Sequence, residues 1–511
     1  MTLRRLSTAL VLTVALTTTA ACGDDGGGEQ ASDTLTVMAP LFGTAPDPNG
    51  ELQQAVQKLI GKKLDVTWVP NADYADKTNV TLASNDIPQV MVIQADKGPA
   101  FVQAARAGAF WDLTGKLDKY PNLKPADPQT ARNASVNGQV YGIYRVRPLL
   151  RSAVVIRKDW LAKVGMPLPK TVDELHHIAK AFTEGDPDGN GTKDTYGLIL
   201  PKWSGFYASS SPYDVFETWY GAPNGWGDRG GKLVPGFDTE EFVQANRALK
   251  GWIDQGLVNP DYATLDTANW NNPFVQGKGG IIIDVNVRAT DLVTLFKQKD
   301  PKDFDKVAMV GNLARPDGQK FSAPFTGYNG IIAISKQKVR TEEQLDQVLQ
   351  VLDKLQSKEG TVLLTNGIEG RNFRLDGDYA VPVNDQDAAV KVLNNDVEKA
   401  FIQLGTRASV GLTAHRLKPA DEPSRQMYDL RATLMTEDLK TAVHNPALPV
   451  VSDTYIQQGK TLDLIIPDAR IKYLSGDISE DRLRAEVQRW YAGGGTKIAE
   501  EVNDLVAKLG K

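Results

Sequence analysis

The loop from residue 186 to residue 194 carries oxygen-bearing residues at a spacing that suits a hard cation. Five residues supply an oxygen at alternate positions of this loop: Asp186, Asp188, Asn190, Thr192 through its carbonyl, and Asp194. Gly191 occupies the sixth position, and calcium takes roughly six to eight oxygens from a tight turn of this kind. The loop departs from an EF-hand at its twelfth position, where Gly197 replaces a bidentate Glu. We therefore predict a structural calcium site, with an ordinary surface turn as the alternative.

Two predicted helices lead into this loop and fix its position. The first begins at Lys158 and must end near Gly165, because prolines follow at positions 167 and 169. The second begins after Thr171, which has Glu174 three residues later in the pattern of a capping box. Apolar side chains recur along it at helical spacing and predict one buried face: Leu175, Ile178, Ala179 and Phe182. The loop is thus expected at the end of a packed helix.

Aromatic residues are concentrated between residues 201 and 226, among Gly, Ser, Pro and Asn. Exposed aromatic rings in such loops suit the apolar faces of sugars, whereas polar side chains take the hydroxyl groups. We predict that Trp203, Phe206 and Trp226 line a ligand cleft. Others in the same stretch recur at helical spacing and are predicted in the core: Tyr213, Phe216 and Tyr220. Trp270 stands beside two asparagines and is predicted at the rim of the cleft, with a helix-capping loop as the alternative.

Strands and helices alternate in the N-terminal part of the chain. Strand patterns at 34–38, 63–69 and 89–93 are separated by helical patterns at 51–60 and 79–83. Such alternation predicts βαβ units and a mostly parallel sheet, which is an α/β fold. The 511 residues exceed what one hydrophobic core holds, so two lobes are expected.

Five segments occur together in an order that is typical of one family of binding proteins. They are GQVYGI at 138–143, the stretch from IRKDWL to DTYGL at 156–198, FVQGKGG at 274–280, NGIEG at 366–370 and LDG at 375–377. With this set the sequence resembles the family 1 extracellular solute-binding proteins of ABC importers. It is most similar to their large oligosaccharide-binding lipoproteins, which include the alginate-binding proteins. The resemblance extends from about Leu35 to the C-terminus.

The resemblance implies a two-lobe, periplasmic-binding-protein-like α/β fold of type II, with a hinge between the lobes. Residues 33–148 and 326–368 would form the first lobe, and residues 149–325 and 369–511 the second. The chain would cross between the lobes near residue 148, again near residue 326 and a third time near residue 368.

Polar residues near these crossings are further candidates for ligand binding. Arg145, Arg147 and Arg151 lie on one extended segment, where their guanidinium groups suit carboxylates or sugar hydroxyls. Ion pairs between the lobes are the alternative role for these arginines. The resemblance implies five more candidates, after the GKGG turn and in the second crossing: Asp284, Asn286, Arg288, Tyr328 and Asn329.

Residues 1–22 have the pattern of a lipoprotein signal peptide. Arg4 and Arg5 precede a short apolar run, and small residues lead to Cys22, the one cysteine of the sequence. Lipidation at Cys22 would anchor the protein on the extracellular face of the cell membrane, with the glycine-rich residues 23–32 as a flexible tether. Plain secretion is the alternative.

Composition and motifs favour a receptor over an enzyme. The net charge is −5 and no polybasic block occurs, which argues against a nucleic-acid partner. The sequence lacks HExxH, GxSxG and P-loop motifs, so no catalytic group is indicated. The resemblance implies a monomeric receptor that captures an oligosaccharide between its lobes and delivers it to ABC transporter permease subunits, with calcium as its cofactor. A receptor for a peptide or another small solute, or a sugar sensor without import, stays open.

Overall fold

Two β-sheets organise the computed structural model, which describes residues 33–84, 86–94, 97–203, 210–383, 386–407, 414–419 and 421–510. The strands are β1 (Thr34–Leu41), β2 (Lys63–Pro70), β3 (Val90–Ile93), β4 (Ile143–Val146), β5 (Ser152–Arg157), β6 (Tyr196–Leu198), β7 (Trp226–Arg229), β8 (Lys232–Pro235), β9 (Gly279–Val285), β10 (Val307–Val310), β11 (Tyr328–Ile334), β12 (Phe373–Asp376), β13 (Tyr379–Pro382) and β14 (Arg416–Leu417). The helices are α1 (Glu51–Ile60), α2 (Asn71–Ser84), α3 (Pro99–Arg106), α4 (Pro128–Ala134), α5 (Lys158–Val164), α6 (Val172–Glu184), α7 (Pro212–Trp219), α8 (Glu240–Asp254), α9 (Asn271–Val275), α10 (Val287–Lys299), α11 (Glu342–Leu355), α12 (Lys358–Thr365), α13 (Ala388–Asn395), α14 (Glu422–Leu439), α15 (Asp453–Leu462), α16 (Ile465–Leu474), α17 (Glu480–Trp490) and α18 (Thr496–Leu509). None of these helices has the length and apolar character needed to cross a membrane.

The first sheet has five strands in the order β2-β1-β3-β11-β4. β2 and β3 run parallel to β1, whereas β11 runs antiparallel to both β3 and β4. Successive side chains of a strand face opposite sides of a sheet. Val90 and Val92 of β3 accordingly enter the core on one face, and Met91 and Ile93 enter the core on the other. Burial on both faces explains the nearly continuous apolar sequence of this strand.

The second sheet has four strands in the order β10-β5-β9-β6. β9 runs antiparallel to β5 and parallel to β6. Ile281 and Ile283 of β9 pack in the core that α6 covers, and Ile282 packs in the core that α10 covers. This sheet is therefore also buried on both faces, and its polar residues are confined to the strand ends.

The chain passes from the first sheet to the second between β4 and β5, and it returns between β10 and β11. Leu393, Phe401 and Leu404 still pack in the core of the first sheet. The predicted move to the second lobe at residue 369 is therefore too early for this segment, because the spacing of its apolar residues does not reveal which core receives them. Helices α15 to α18 contribute to the core of the second sheet. The other predicted lobe boundaries stay predictions.

The helices before the predicted calcium loop form as the sequence predicts. α5 begins at Lys158 and ends before Gly165, which has a left-handed backbone with a φ of 67°. The side chain of Thr171 accepts a hydrogen bond from the backbone N–H of Glu174, and the Glu174 side chain closes the capping box. The predicted apolar face of α6 is buried.

Candidate ligand-binding cavity

A cavity of about 1010 Å³ opens at one edge of the four-stranded sheet. It lies where β6 and β9 end and where β5 begins, since Ser152 pairs with Val285. The crossing from β4 to β5 contributes one wall. Ligand sites of open α/β sheets commonly lie at the carboxyl ends of parallel strands. The described wall consists of Arg147, Arg151, Lys202, Trp203, Ser210, Thr264, Asp266, Thr267, Ala268, Trp270, Asp284, Val285 and Arg288.

Two tryptophans form the apolar part of the wall. Trp270 is 1% exposed, and its Nε1 donates to the carbonyl of Ile199 at 3.0 Å, which fixes the ring. Trp203 meets this ring edge to face, with the ring centroids 6.4 Å apart. Nε1 of Trp203 is buried and has no hydrogen-bond partner among the described residues. A buried N–H without a partner costs free energy, so a ligand oxygen at this point would stabilise a complex.

An ion pair stands at the end of β9. Nε of Arg288 donates to Oδ2 of Asp284, and Nη1 of Arg288 donates to Oδ1 of Asn271 at 2.5 Å. The Arg288 guanidinium also lies 4.4 Å above the Trp270 ring. Burial raises the pKa of Asp284, and the positive charge of Arg288 opposes that rise. The pair gives the cavity a fixed acceptor and fixed donors, both of which sugar hydroxyls can bond.

Arg147 and Arg151 add two positive charges from the crossing segment. Nε of each is buried without a hydrogen-bond partner in the described part of the chain. The Arg151 guanidinium stacks on the Phe325 ring at 4.2 Å. Burial lowers the pKa of Arg147, and it lowers the pKa of Arg151 to about 10, with the charge of Arg147 adding to the effect. Both therefore carry a positive charge at neutral pH.

Six of the predicted ligand-binding residues line the cavity: Trp203, Trp270, Asp284, Arg147, Arg151 and Arg288. Phe206 lies outside the described residues. Arg145 does not line the cavity, because its Nε donates to the carbonyl of Gly405 at 3.2 Å and its Nη2 donates to Gln403 at 2.8 Å. Side chains of β4 alternate between two faces, so Arg145 lies on the buried face with Ile143, and Tyr144 lies on the other face.

Four other predicted residues lie outside the described wall of the cavity. Trp226 belongs to β7, is 9% exposed and packs in the core of the second sheet. Asn286 is buried and accepts a hydrogen bond from Nε of Arg431 at 3.1 Å, so it lies next to the wall residues without lining the cavity. Tyr328 and Asn329 belong to β11, and Tyr328 is buried in the core of the first sheet.

The predicted calcium loop folds around the Asp186 carboxylate. Oδ1 of Asp186 accepts from the backbone N–H groups of Gly189 at 2.9 Å and Asn190 at 3.0 Å, and Oδ2 accepts from that of Gly191 at 2.9 Å. The hydrogen bond from Gly191 is the main cause of a lowered Asp186 pKa. Gly191 has a φ of 80°, which explains why glycine stands at the sixth position.

The donor set of this loop fits calcium, although its carboxylates do not converge on one point. Nδ2 of Asn190 donates to Asp188 at 2.8 Å and to Asp194 at 3.1 Å, so an amide N–H₂ stands between the two carboxylates. A half turn of this amide would place an oxygen there. Oδ1 of Asp188 is buried and has no hydrogen-bond partner among the described residues. An oxygen that serves as a cation ligand is expected to be free in this way. Asp194 also pairs with Lys278. No group of three or more His, Cys, Asp or Glu side chains among the described residues is arranged to hold a metal.

The packing of β6 on α6 explains the missing glutamate at the twelfth position. Gly197 lies in β6, and a Cβ added there would overlap Ala179 of α6. A bidentate Glu therefore has no room at this position. An ion in the loop would take its ligands from the earlier positions and from water.

The chain matches the bacterial extracellular solute-binding proteins over residues 45–362. It belongs to that family. Lipoprotein LipO of Bacillus subtilis (strain 168) is 38% identical over 501 residues, which cover 97% of each chain. The polygalacturonan/rhamnogalacturonan-binding protein YtcQ of the same organism is 33% identical over 480 residues, which cover 93% of this chain and 92% of that protein. The predicted family resemblance is confirmed.

A solved structure confirms the fold of this solute-binding protein. The alginate-binding protein AlgQ2, solved without calcium ion, superimposes with a TM-score of 0.63 at 16% identity. The match covers 94% of this chain and 100% of the AlgQ2 chain. The predicted two-lobe, periplasmic-binding-protein-like fold is thus the fold of the molecule.

Part of the wall of this solute-binding protein carries no distinctive sequence signal. Thr264 and Thr267 lie in a turn and a short 3₁₀ segment before α9, where Asp266 accepts a hydrogen bond from the N–H of Ala268 at 2.8 Å. The same residue types form ordinary surface turns. Their place at the cavity comes from long-range contacts, such as the backbone hydrogen bond from Lys202 to Leu265 at 2.8 Å.

Proposed function

We propose that this chain is the extracellular receptor of an ABC importer and that it captures an oligosaccharide between its two lobes. Membership of the solute-binding family supports the receptor role. The name of YtcQ, a polygalacturonan/rhamnogalacturonan-binding protein, supports a carbohydrate ligand. The role is delivery without catalysis.

The cavity beside Trp203 and Trp270 is the observation that carries this proposal. Its volume of about 1010 Å³ stands at the upper end of small-ligand pockets, which span roughly 300–1,000 Å³. It therefore has room for more than one sugar unit. The indole of Trp203 offers an apolar surface for a sugar ring, and the pair of Asp284 and Arg288 offers an acceptor and donors for hydroxyl groups. This mixture suits an oligosaccharide better than an apolar solute.

Capture would proceed through closure of the two lobes. Arg147 and Arg151 lie in a segment that joins the two sheets, so ligand contacts there act on a connection between the lobes. A contact that forms only in the closed state shifts the population toward that state. The closed receptor, acting as a monomer, would then dock on the permease subunits in the membrane.

A lipid anchor would keep the receptor at the cell surface. Cys22 and residues 23–32 lie outside the described residues, and the anchor rests on the signal-peptide pattern before Cys22. The relative LipO is named a lipoprotein, which supports this proposal. A lipid at Cys22 followed by a flexible tether would let the lobes reorient toward the permease.

Calcium would act as a structural cofactor in the loop after α6. Its ligands would come from Asp186, Asp188, Asn190, Thr192 and Asp194. The unpartnered oxygen of Asp188 and the left-handed turn at Gly191 support this assignment. The ion would hold the loop closed at the base of β6 and would take no part in ligand capture. Without a bidentate Glu we expect an affinity in the range of extracellular calcium modules, about 10⁻⁴–10⁻³ M.

A thermal-shift screen of the mature chain tests the proposed function. The chain is melted in the presence of calcium with neutral oligosaccharides, acidic oligosaccharides and a set of peptides. A ligand at about one hundred times its Kd stabilises the folded state by about 2.7 kcal/mol, which raises the melting temperature by several degrees. We expect a response to one class of oligosaccharide. A response to peptides alone, or to no compound, would overturn the carbohydrate assignment.

A further inference from the structure

A second group of positive charges lies on and beside helix α14, behind the described wall of the cavity. Nε of Arg431 donates to Oδ1 of Asn286 at 3.1 Å, and the backbone N–H of Asn286 donates to the carbonyl of Arg151 at 2.6 Å. Asn286 therefore connects Arg431 to the wall that carries Arg151. The charges of Arg147 and Arg431 both add to the lowering of the Arg151 pKa that burial causes. The charge of Asp284 opposes this lowering, so Arg151 lies within electrostatic range of Arg147, Arg431 and Asp284.

Arg416 extends this row beyond Arg431. Its guanidinium lies 3.3 Å above the ring of Tyr428, and that of Arg431 lies 5.6 Å from the same ring. Tyr428 and Arg431 are three residues apart on α14 and so share one side of the helix. Nη1 of Arg416 donates to Asp429 at 3.0 Å. Its Nε and Nη2 are buried and have no hydrogen-bond partner in the described residues.

Helix α14 is fixed against the second sheet at both ends. Lys297 pairs with Asp421 at its start, and Lys320 pairs with the buried Asp438 near its end at 2.7 Å. Three of its side chains pack on the core that α10 covers: Met427, Leu430 and Leu434. Arg431 is therefore presented by a well-anchored helix, and Arg416 of β14 stacks on Tyr428 of the same helix.

Two nearby carboxylates are already paired with arginines. Asp284 pairs with Arg288, and Asp429 pairs with one edge of Arg416. A third carboxylate, Asp291, lies in range of Arg288 and Arg431: burial raises its pKa, and the positive charges of these two arginines oppose that rise. The crossing arginines and the remaining edge of Arg416 thus keep N–H groups that have no hydrogen-bond partner among the described residues. Buried positive charge without a partner is costly, and an anionic ligand removes that cost.

We propose that the captured oligosaccharide is acidic, with one carboxylate bound at Arg147 and Arg151 and a second bound at Arg416 beside Tyr428. This inference rests on the proposed function, because it assumes that a sugar occupies the cavity. The planar guanidinium fork matches a carboxylate, and the Tyr428 ring adds a flat surface at the outer position. A neutral sugar would leave these buried donors unpaired, so the row selects for a uronic-acid chain.

Calorimetric titration of the mature protein tests this proposal. The probes are a panel of uronic-acid oligosaccharides, each matched with the same oligomer after reduction of its carboxyls to alcohols. We expect at least one acid to bind about tenfold to a hundredfold more tightly than its reduced counterpart, which is the effect of a charged hydrogen bond. Arg147→Gln and Arg416→Gln should each remove most of that difference, and the corresponding Lys variants should restore part of it.

Lys440→Gln serves as the matched control. It removes one positive charge just after α14 at an exposed ion pair with Glu437, so the preference for acids should not change. Thermal melting verifies that each variant folds. If sugars bind but no acid exceeds its reduced counterpart, the acidic specificity is wrong while the proposed function stands. If Arg416→Gln leaves the preference intact, the outer subsite is wrong. If no carbohydrate binds, both proposals fail.

Discussion

Arg470→Met is expected to destabilise the protein strongly, because Arg470 compensates two buried carboxylates. Arg470 lies in α16 and is 1% exposed. Its Nη1 donates to Asp214 at 2.8 Å and to Glu217 at 3.0 Å, which joins α16 to α7. Each carboxylate residue is 9% exposed, and Asn246 donates a further hydrogen bond to Glu217 at 2.8 Å.

The size of the expected loss in stability follows from the buried negative charge that Arg470→Met leaves without a partner. Removing one partner of a buried ion pair typically costs about 3–5 kcal/mol. Burial, with the neighbouring Asp214, raises the pKa of Glu217 from 4.5 to about 7. The folded state therefore binds a proton that the unfolded state releases, so wild-type stability falls as pH rises from 4.5 to about 7. Without Arg470 neither carboxylate has its guanidinium partner, and the fall with pH becomes steeper.

Urea unfolding at about pH 5 and about pH 8 measures this loss on both sides of the Glu217 titration. The matched control is Lys472→Met, which removes an ion pair with Asp468 from the exposed side of the same helix. These side chains are 53% and 59% exposed, so the control should change stability by about 0.5 kcal/mol or less. The reasoning fails if Arg470→Met costs no more than the control, or if its cost is greater at the lower pH.

Three further predictions concern the cavity, the loop and the anchor. Trp203→Ala should weaken oligosaccharide binding up to about tenfold in calorimetry. Trp226→Ala should lower the free energy of unfolding in urea by about 3–5 kcal/mol and leave the affinity unchanged. The reverse pattern would contradict the placing of Trp203 in the cavity and Trp226 in the core. Asp186→Ala combined with Asp188→Ala should remove a calcium-dependent stabilisation of about 0.4–1.4 kcal/mol at about 1 mM calcium, and an equal loss in chelator would show that no ion binds there. Cys22→Ser should move the protein from the membrane fraction to the medium, and its retention on membranes would rule out the lipid anchor.

The local parts of the fold were predictable because their signals lie close together in sequence. The capping box of Thr171 and Glu174 spans one helical turn, and it forms as predicted. The two loop tryptophans show the limit of this reasoning. Trp203 and Trp226 both stand among turn-forming residues, yet the first lines the cavity and the second fills the core. Their difference lies in long-range packing, which local composition does not encode.

The arginines of the site illustrate the same division. Arg145 faces the core with Ile143 on β4, whereas Arg147, which alternation would place on the same face, follows the end of the strand and lines the cavity. The period of the strand therefore does not distinguish these two arginines; the end of β4 does. No local pattern links Arg431 to Arg151, because they meet through Asn286 and the docking of α14. That part of the site required the structure.

Hydrogen exchange with and without a bound oligosaccharide tests most directly whether this cavity is the capture site. Binding should slow exchange in residues 147–152, 264–270 and 284–288, which carry most of the described wall. The β7–β8 hairpin at 226–235 should exchange at an unchanged rate, since Trp226 serves the core. Tight binding with no protection in the three wall segments, or with protection centred on the hairpin, would contradict the assignment of the site.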